Sequence, residues 1–113
     1  VPLPEITARE LQARRAELPD LCILDVREPG EWADYHIDGS LNVPFYHVEQ
    51  RAAELADGRP VAVICGSGVR STIAASILQA AGVPTPLNVA GGMDAWTAAG
   101  LAVVRPAAMA AAD

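Results

Sequence analysis

The segment Arg59–Gly82, RPVAVICGSGVRSTIAASILQAAG, constrains the fold more tightly than any other part of the chain. Val61-Ala62-Val63-Ile64 is an unbroken apolar run, the pattern of a strand covered on both faces, as in a parallel sheet. Ile73, Ala74, Ile77, Leu78 and Ala81 then recur at helical spacing, and Gly82 before Val83-Pro84 stops that helix. Strand and helix are joined by the six residues Cys65 to Arg70. Gly66 and Gly68 permit a turn tight enough for successive N–H groups to converge, and Ser71 is placed to cap the helix. A cysteine is thereby set at the floor of a cup of amide donors. The positive end of a helix faces the same cup, and Arg70 stands at its rim.

Such a cup has a chemical consequence, because the thiolate is the nucleophile and amide donors, helix dipole and arginine all favour it. The pKa of Cys65 is expected to be lowered, so that its reactions stay fast below the ordinary cysteine value of about 8.5. The cup also suits the anionic outer sulfur of a persulfide, or the oxyanion of thiosulfate or phosphate. A cysteine that merely closes a buried strand needs neither the two glycines, nor the arginine, nor the helix start beside it.

A chain of 113 residues, 51% hydrophobic, is expected to form one domain with its own core, residues 1–105. Residues 106–113 are Ala-rich and patternless and read as a tail or the start of a linker. The apolar runs are too short to span a membrane, and no secretory signal is visible. Two cysteines make no disulfide framework, and a reactive thiol points to a reducing compartment, the cytoplasm. The net charge of −6 argues against nucleic acid as a partner and leaves any anion to be captured by the local cup. The chain begins at Val1 rather than methionine, which is compatible with excision from a longer polypeptide.

Along the chain, the prolines of Val1–Ile6 impose an extended lead-in. Thr7 and Glu10 form a capping box, stapled by Ile6 and Leu11, for a helix over Ala8–Glu17. Leu21–Val26 is the second apolar strand, carrying Cys22 as a packing residue and Asp25 near its C-terminal end. A turn and short helical segment with Trp32 follow, then a brief strand stopped by Pro44. Phe45–Ala56 is expected to be helical, Pro86–Val89 a short strand, and Gly91-Gly92 the tight turn into a closing helix with Trp96. The alternation of strands and helices gives a parallel sheet with helices on both faces. Ligands of such sheets bind beyond the carboxyl ends of the strands, where Asp25 and Cys65 both lie.

Four stretches together resemble the rhodanese-like sulfurtransferases. They are Asp25-Val26-Arg27-Glu28-Pro29-Gly30-Glu31-Trp32; His36–Pro44, HIDGSLNVP; Cys65-Gly66-Ser67-Gly68-Val69-Arg70-Ser71; and Leu87 through Gly91-Gly92-Met93-Asp94-Ala95-Trp96. They occur in the family's order and span nearly the whole chain. The resemblance implies a small three-layer α/β sandwich around a five-stranded parallel sheet. It implies that Cys65 accepts a sulfane sulfur and passes it on from a persulfide, in two half-reactions. Gly66, Ser67, Gly68, Val69 and Arg70 would bind the substrate largely through backbone amides, with Arg70 also presenting charge to the donor. Asp25, Arg27 and Ser71 would support the loop, and no cofactor is required.

The remaining polar residues have plainer readings. His36 fixes a turn rather than acting as a base, and His47 is solvated. No pair of Cys22, Cys65, His36 and His47 has metal-ligand spacing, so no metal is expected. Trp32 and Trp96 are core residues or pocket walls.

Two other functions compete. Cysteine-based phosphatases related to this fold keep five residues between cysteine and arginine, whereas four separate Cys65 from Arg70. The shorter loop makes a smaller cup, better suited to a sulfur atom than to a phosphoryl group. A non-enzymatic sulfur-carrier or docking module of a larger protein is the other alternative. The expected partners are a small sulfur-containing anion or persulfide donor, with thiosulfate as default, and a protein sulfur acceptor. No membrane or nucleic acid is expected among them.

Overall fold

A computed structural model describes residues 4–106, so most of the Ala-rich tail expected over 106–113 lies outside the described residues. Strands β1 (Glu5–Ile6), β2 (Cys22–Asp25), β3 (Leu41–Asn42), β4 (Val61–Ile64) and β5 (Leu87–Val89) form one sheet in the order β1-β5-β4-β2-β3. Every pairing is parallel. The two long apolar runs, β2 and β4, are neighbours near the middle, where both sheet faces are covered and continuous hydrophobicity is required.

Helices α1 (Ala8–Glu17), α2 (Pro29–Asp34), α3 (Val48–Leu55), α4 (Val69–Ala80) and α5 (Gly92–Ala98) complete the fold. Strand alternation divides the core in two. Leu24, Val26, Val61, Val63 and Cys65 pack against Val48, Ala52 and Leu55 of α3 and Ala74, Ala75 and Leu78 of α4. Ile23, Ala62, Ile64 and Val89 face the other way, onto Ala8 and Leu11 of α1 and Met93 and Trp96 of α5. The molecule is thus a three-layer α/β/α sandwich, as expected.

The capping box of α1 is present: Thr7 Oγ1 accepts from Glu10 N–H at 3.1 Å, and Glu10 Oε1 accepts from Thr7 N–H at 2.9 Å. The helix expected from Phe45 instead opens as a single 3-10 turn, Phe45–His47, and becomes α-helical only at Val48. Phe45 N–H is held by Val26 O at 3.0 Å, so the first turn is tethered to the end of β2, and the helical spacing of Phe45 and Val48 does not reveal that tether. His47 in this turn is exposed.

His36 has the structural part expected of it. Its Nδ1 lies 2.8 Å from Trp32 O, its ring stacks on Trp32 at 3.6 Å, and its backbone pairs with Val104. Trp96 is fully buried, with Nε1 donating to Ala102 O at 3.0 Å, while Trp32 is only half-buried and donates to Ser40 Oγ.

Candidate active site

The apolar run of β4 ends at Ile64 and delivers Cys65, which has no exposed surface, beneath a loop whose outer residues Ser67 and Val69 are exposed. Gly68, at φ +105°, turns the chain and is the residue from which α4 starts. The cap expected at Ser71 is therefore three residues too late. Glycine adopts the left-handed conformation without a Cβ penalty, so the helix begins at Val69 and Ser71 lies within its first turn. That shift brings the Ser71 amide onto the sulfur. Gly68 N–H and Ser71 N–H point at Cys65 Sγ from 3.1 and 3.3 Å, and Ser71 Oγ lies 3.4 Å from it.

Two more contacts explain why the loop amides face inward. Cys65 O accepts from Met93 N–H at 2.7 Å, and Gly66 O accepts from Asp94 N–H at 2.9 Å. These are first-turn amides of α5, which have no partner inside their own helix. Because C=O and N–H of one peptide point in opposite directions, anchoring Gly66 O outward turns the Ser67 N–H inward. The close approach demands glycine at 92, where a Cβ would stand 2.2 Å from Cys65 O and where φ is +56°. The tight turn and close packing expected of Gly91-Gly92 are present in this form.

Burial pushes the Cys65 thiol up, but hydrogen bonding with the Ser71 hydroxyl and with the amides of Ser71, Gly68 and Ser67 outweighs it and leaves the pKa below the ordinary cysteine value. Cys22 is buried in the apolar core without such donors, and desolvation pushes its thiol up. Both cysteines are free. Only Cys65 combines a lowered pKa with donors aimed at sulfur.

Arg70 stands at the rim but is not free. Its Nη1 and Nη2 donate to Glu31 Oε1 and Oε2 at 2.8 and 3.3 Å, and Nη2 lies 3.1 Å from where a Cβ on Gly66 would be. The Arg70 guanidinium holds the Glu31 carboxyl below the usual range. Glu31 also accepts from Glu28 N–H at 2.9 Å, so α2 carries the counter-ion to the rim. Sequence reasoning assigned Glu31 no role. Its position inside the first resembling stretch was the one signal available.

Asp25 and Arg27 share the carboxyl rim with Cys65 but serve the other side of the sheet. Asp25 pairs in register with Ile64, so its side chain points away from the face of Cys65. Arg27 Nε and Nη2 clasp the Asp25 carboxylate at 2.9–3.1 Å, and Nη2 also donates to Tyr35 O at 2.6 Å. Both side chains are buried. Asn42 Nδ2 ties the same bend through Asp25 O and Arg27 O. Among the described residues neither charged side chain hydrogen-bonds to the Cys65 loop. Asp25→Ala leaves the Arg27 charge buried without its counter-ion and is expected to destabilise the fold by about 3–5 kcal/mol, measured by urea unfolding.

The family of the rhodanese-like domain matches residues 7–99. The chain belongs to that family. A sulfurtransferase of Allochromatium vinosum is 35% identical over 90% of this chain and 95% of its own length. A thiosulfate sulfurtransferase of Tolumonas auensis is 26% identical over 71% of this chain and 76% of its own. The crystal structure of a rhodanese-related protein from Thermoplasma volcanium superposes with a TM-score of 0.79 at 32% identity, covering 89% of this chain and 97% of that one. In this rhodanese-like chain the loop, the α4 start and the Gly91-Gly92 turn all lie within the matched region. Among the described residues no helix is long and apolar enough to cross a membrane.

Proposed function

We propose that this rhodanese-like protein is a sulfurtransferase that carries a sulfane sulfur on Cys65. The observation that carries the reading is the convergence of the Gly68 and Ser71 amides on one sulfur at the start of α4, in a loop with four residues between cysteine and arginine. In the first half-reaction the Cys65 thiolate attacks the outer sulfur of thiosulfate. A new S–S bond forms, the old one breaks, and its electron pair leaves with sulfite. The persulfide then bears the negative charge, which the loop amides of Gly66, Ser67, Gly68 and Val69 and the α4 dipole stabilise. In the second half-reaction a nucleophile such as cyanide takes the outer sulfur and the electron pair returns to Cys65. Thiosulfate is the donor favoured by the similarity to a thiosulfate sulfurtransferase. The lowered thiol pKa and the two unpaired cysteines support work in a reducing cytoplasm.

Incubation with thiosulfate and cyanide should release thiocyanate, and an aryl phosphate offered in parallel should not be hydrolysed. Phosphate release without thiocyanate reverses the assignment in favour of the phosphatase. A second reading, a carrier that exchanges sulfur with protein partners, has in its favour the similarity to a putative sulfur carrier protein of Bacillus subtilis, 38% identical over 84% of this chain and 51% of its own length. Turnover separates the two: both gain one sulfur in intact mass, but a carrier takes it from a protein persulfide and turns over slowly with thiosulfate and cyanide.

The Glu31–Arg70 bridge bears on donor capture. A dianionic donor must compete with Glu31 for the guanidinium, so Glu31→Gln is expected to lower KM for thiosulfate about 3–10-fold while kcat changes little, an effect that fades as salt is raised. Unchanged KM at low salt would mean that Arg70 holds the loop and does not receive the donor.

A further inference from the structure

The Ser71 hydroxyl has one proton and three neighbours able to accept it: Asn88 Oδ1 at 2.5 Å, Gly68 O at 3.1 Å and Cys65 Sγ at 3.4 Å. Of the three, Asn88 Oδ1 is by far the nearest, and Gly68 O also accepts from Thr72 Oγ1 at 2.8 Å. With its proton committed there, Thr72 Oγ1 accepts from Asn88 Nδ2 at 3.1 Å, and Asn88 Nδ2 also donates to Glu5 Oε2 at 3.2 Å. An ionised carboxylate only accepts, so Glu5 excludes the flipped amide, in which the Asn88 oxygen would face it. The Asn88 oxygen is therefore aimed at Ser71 and takes the hydroxyl proton. Ser71 offers sulfur only lone pairs, which suit S–H and oppose S⁻.

We propose that Asn88, oriented by Glu5, is a positioning residue that holds the Ser71 proton away from Cys65 at rest and yields it when negative charge develops on that sulfur. The inference rests on the sulfur-transfer reading and deepens it. When the thiol ionises, its proton goes to the buffer, the electron pair stays on sulfur, and Ser71 turns about its Cβ–Oγ bond so that the O–H points from Asn88 to Sγ. No covalent bond of Ser71 changes. The same turn serves persulfide discharge, when the S–S bond breaks and its electron pair returns to Cys65. Asn88 is buried, and after the turn its oxygen lacks a donor, which opposes ionisation of the resting thiol. The network thus leaves Cys65 less acidic than the amide cup and a Ser71 hydroxyl free to donate would make it.

Other charges around the cup are accounted for. Arg70, on the same helix as Ser71, acts on Cys65 but is paired with Glu31 of α2. Asp25 and Arg27 of β2 pair with each other on the far face, Asp94 of α5 is exposed, and His47 and Glu49, beside the core-facing Val48, are exposed. Glu5 of β1 is the charge that reaches the sulfur through the hydroxyl relay.

The test is titration of the thiolate's ultraviolet absorbance, with Cys65→Ala as blank. Asn88→Ala is expected to move the half-titration of Cys65 down by about one pH unit, because Ser71 is then free to donate to sulfur. Glu5→Ala lets the amide flip and is expected to shift it the same way. Glu5 is exposed, so this variant carries the test where the buried Asn88 variant fails to fold. In a Ser71→Ala background neither substitution should move the titration. A shift that persists without Ser71 is a direct charge effect and overturns the proposal, as does an unchanged or raised midpoint in Glu5→Ala. Either result alongside normal sulfur uptake removes the proton assignment alone. A wild-type protein that takes up no sulfur from any donor overturns the transfer reading, while the titration still reports on the network.

Discussion

Cys65→Ala is expected to take up no sulfur: the intact mass of the wild-type protein rises by one sulfur atom after exposure to thiosulfate, and that of the variant stays unchanged. Thiocyanate production should fall by more than about 10³-fold, since removing a nucleophile eliminates the covalent route rather than weakening it. Cys22→Ala is the matched control. Cys22 is also buried and also a free thiol, but it has no amide cup and its burial disfavours the thiolate. It should keep full sulfur uptake while losing some stability from the small cavity. Retention of the mass gain in Cys65→Ala would sink the transferase assignment. So would failure of the wild type to gain sulfur from thiosulfate, glutathione persulfide and a protein persulfide alike.

Gly92→Ala is expected to be the most damaging of the glycine-to-alanine changes. Its Cβ would stand 2.2 Å from Cys65 O and 2.8 Å from both C and O of Gly66, all backbone atoms that cannot rotate aside. The residue also sits at φ +56°, where any side chain adds strain of roughly 1–2 kcal/mol. Overpacking contributes about 1–3 kcal/mol more. Together these should lower the melting temperature by about 8–20 °C, at about 4 °C per kcal/mol for a domain of this size. Activity should suffer independently of stability. Relieving the clash parts α5 from the loop, and the Cys65 and Gly66 carbonyls lose the Met93 and Asp94 amides that keep them turned outward. The Ser67 N–H then swings off the sulfur, and a displacement of that order costs about 10²-fold in rate. Gly30→Ala is the control, since nothing lies within 4 Å of its Cβ position and its φ is not positive. It should leave both melting temperature and thiocyanate production unchanged. A Gly92→Ala protein that matches wild type in both would show that the grip of α5 on the loop is dispensable.

Cys65 and its amide cup were legible in the sequence because every part of the signal is local. An apolar run ending in cysteine, two glycines and a helical repeat lie within one segment, and each part is read from residue type and period alone. The capping box of α1 was legible for the same reason. The start of α4 was misplaced because two local devices competed. Ser71 is a good cap by composition, and Gly68 won because its left-handed backbone turned the chain into the helix first, leaving Ser71 to face the sulfur.

The partners of the site had to wait for the fold. Glu31 meets Arg70 across 39 positions, and Glu5 meets Asn88 across 83, through a strand pairing of β1 with β5 that joins the start of the chain to its end. Composition offers many acids and arginines and does not say which of them meet. The side of the sheet that Asp25 and Arg27 serve was likewise undecided until β2 lay beside β4, because alternation gives a side only once register is set. The amino-acid order by itself determined the sandwich and the placing of Cys65 in its loop, since periodicity and turn chemistry act between near neighbours. Tertiary structure alone decided which distant side chains neutralise the arginine, grip the loop carbonyls and claim the serine proton, because those depend on contacts that exist only after the layers pack.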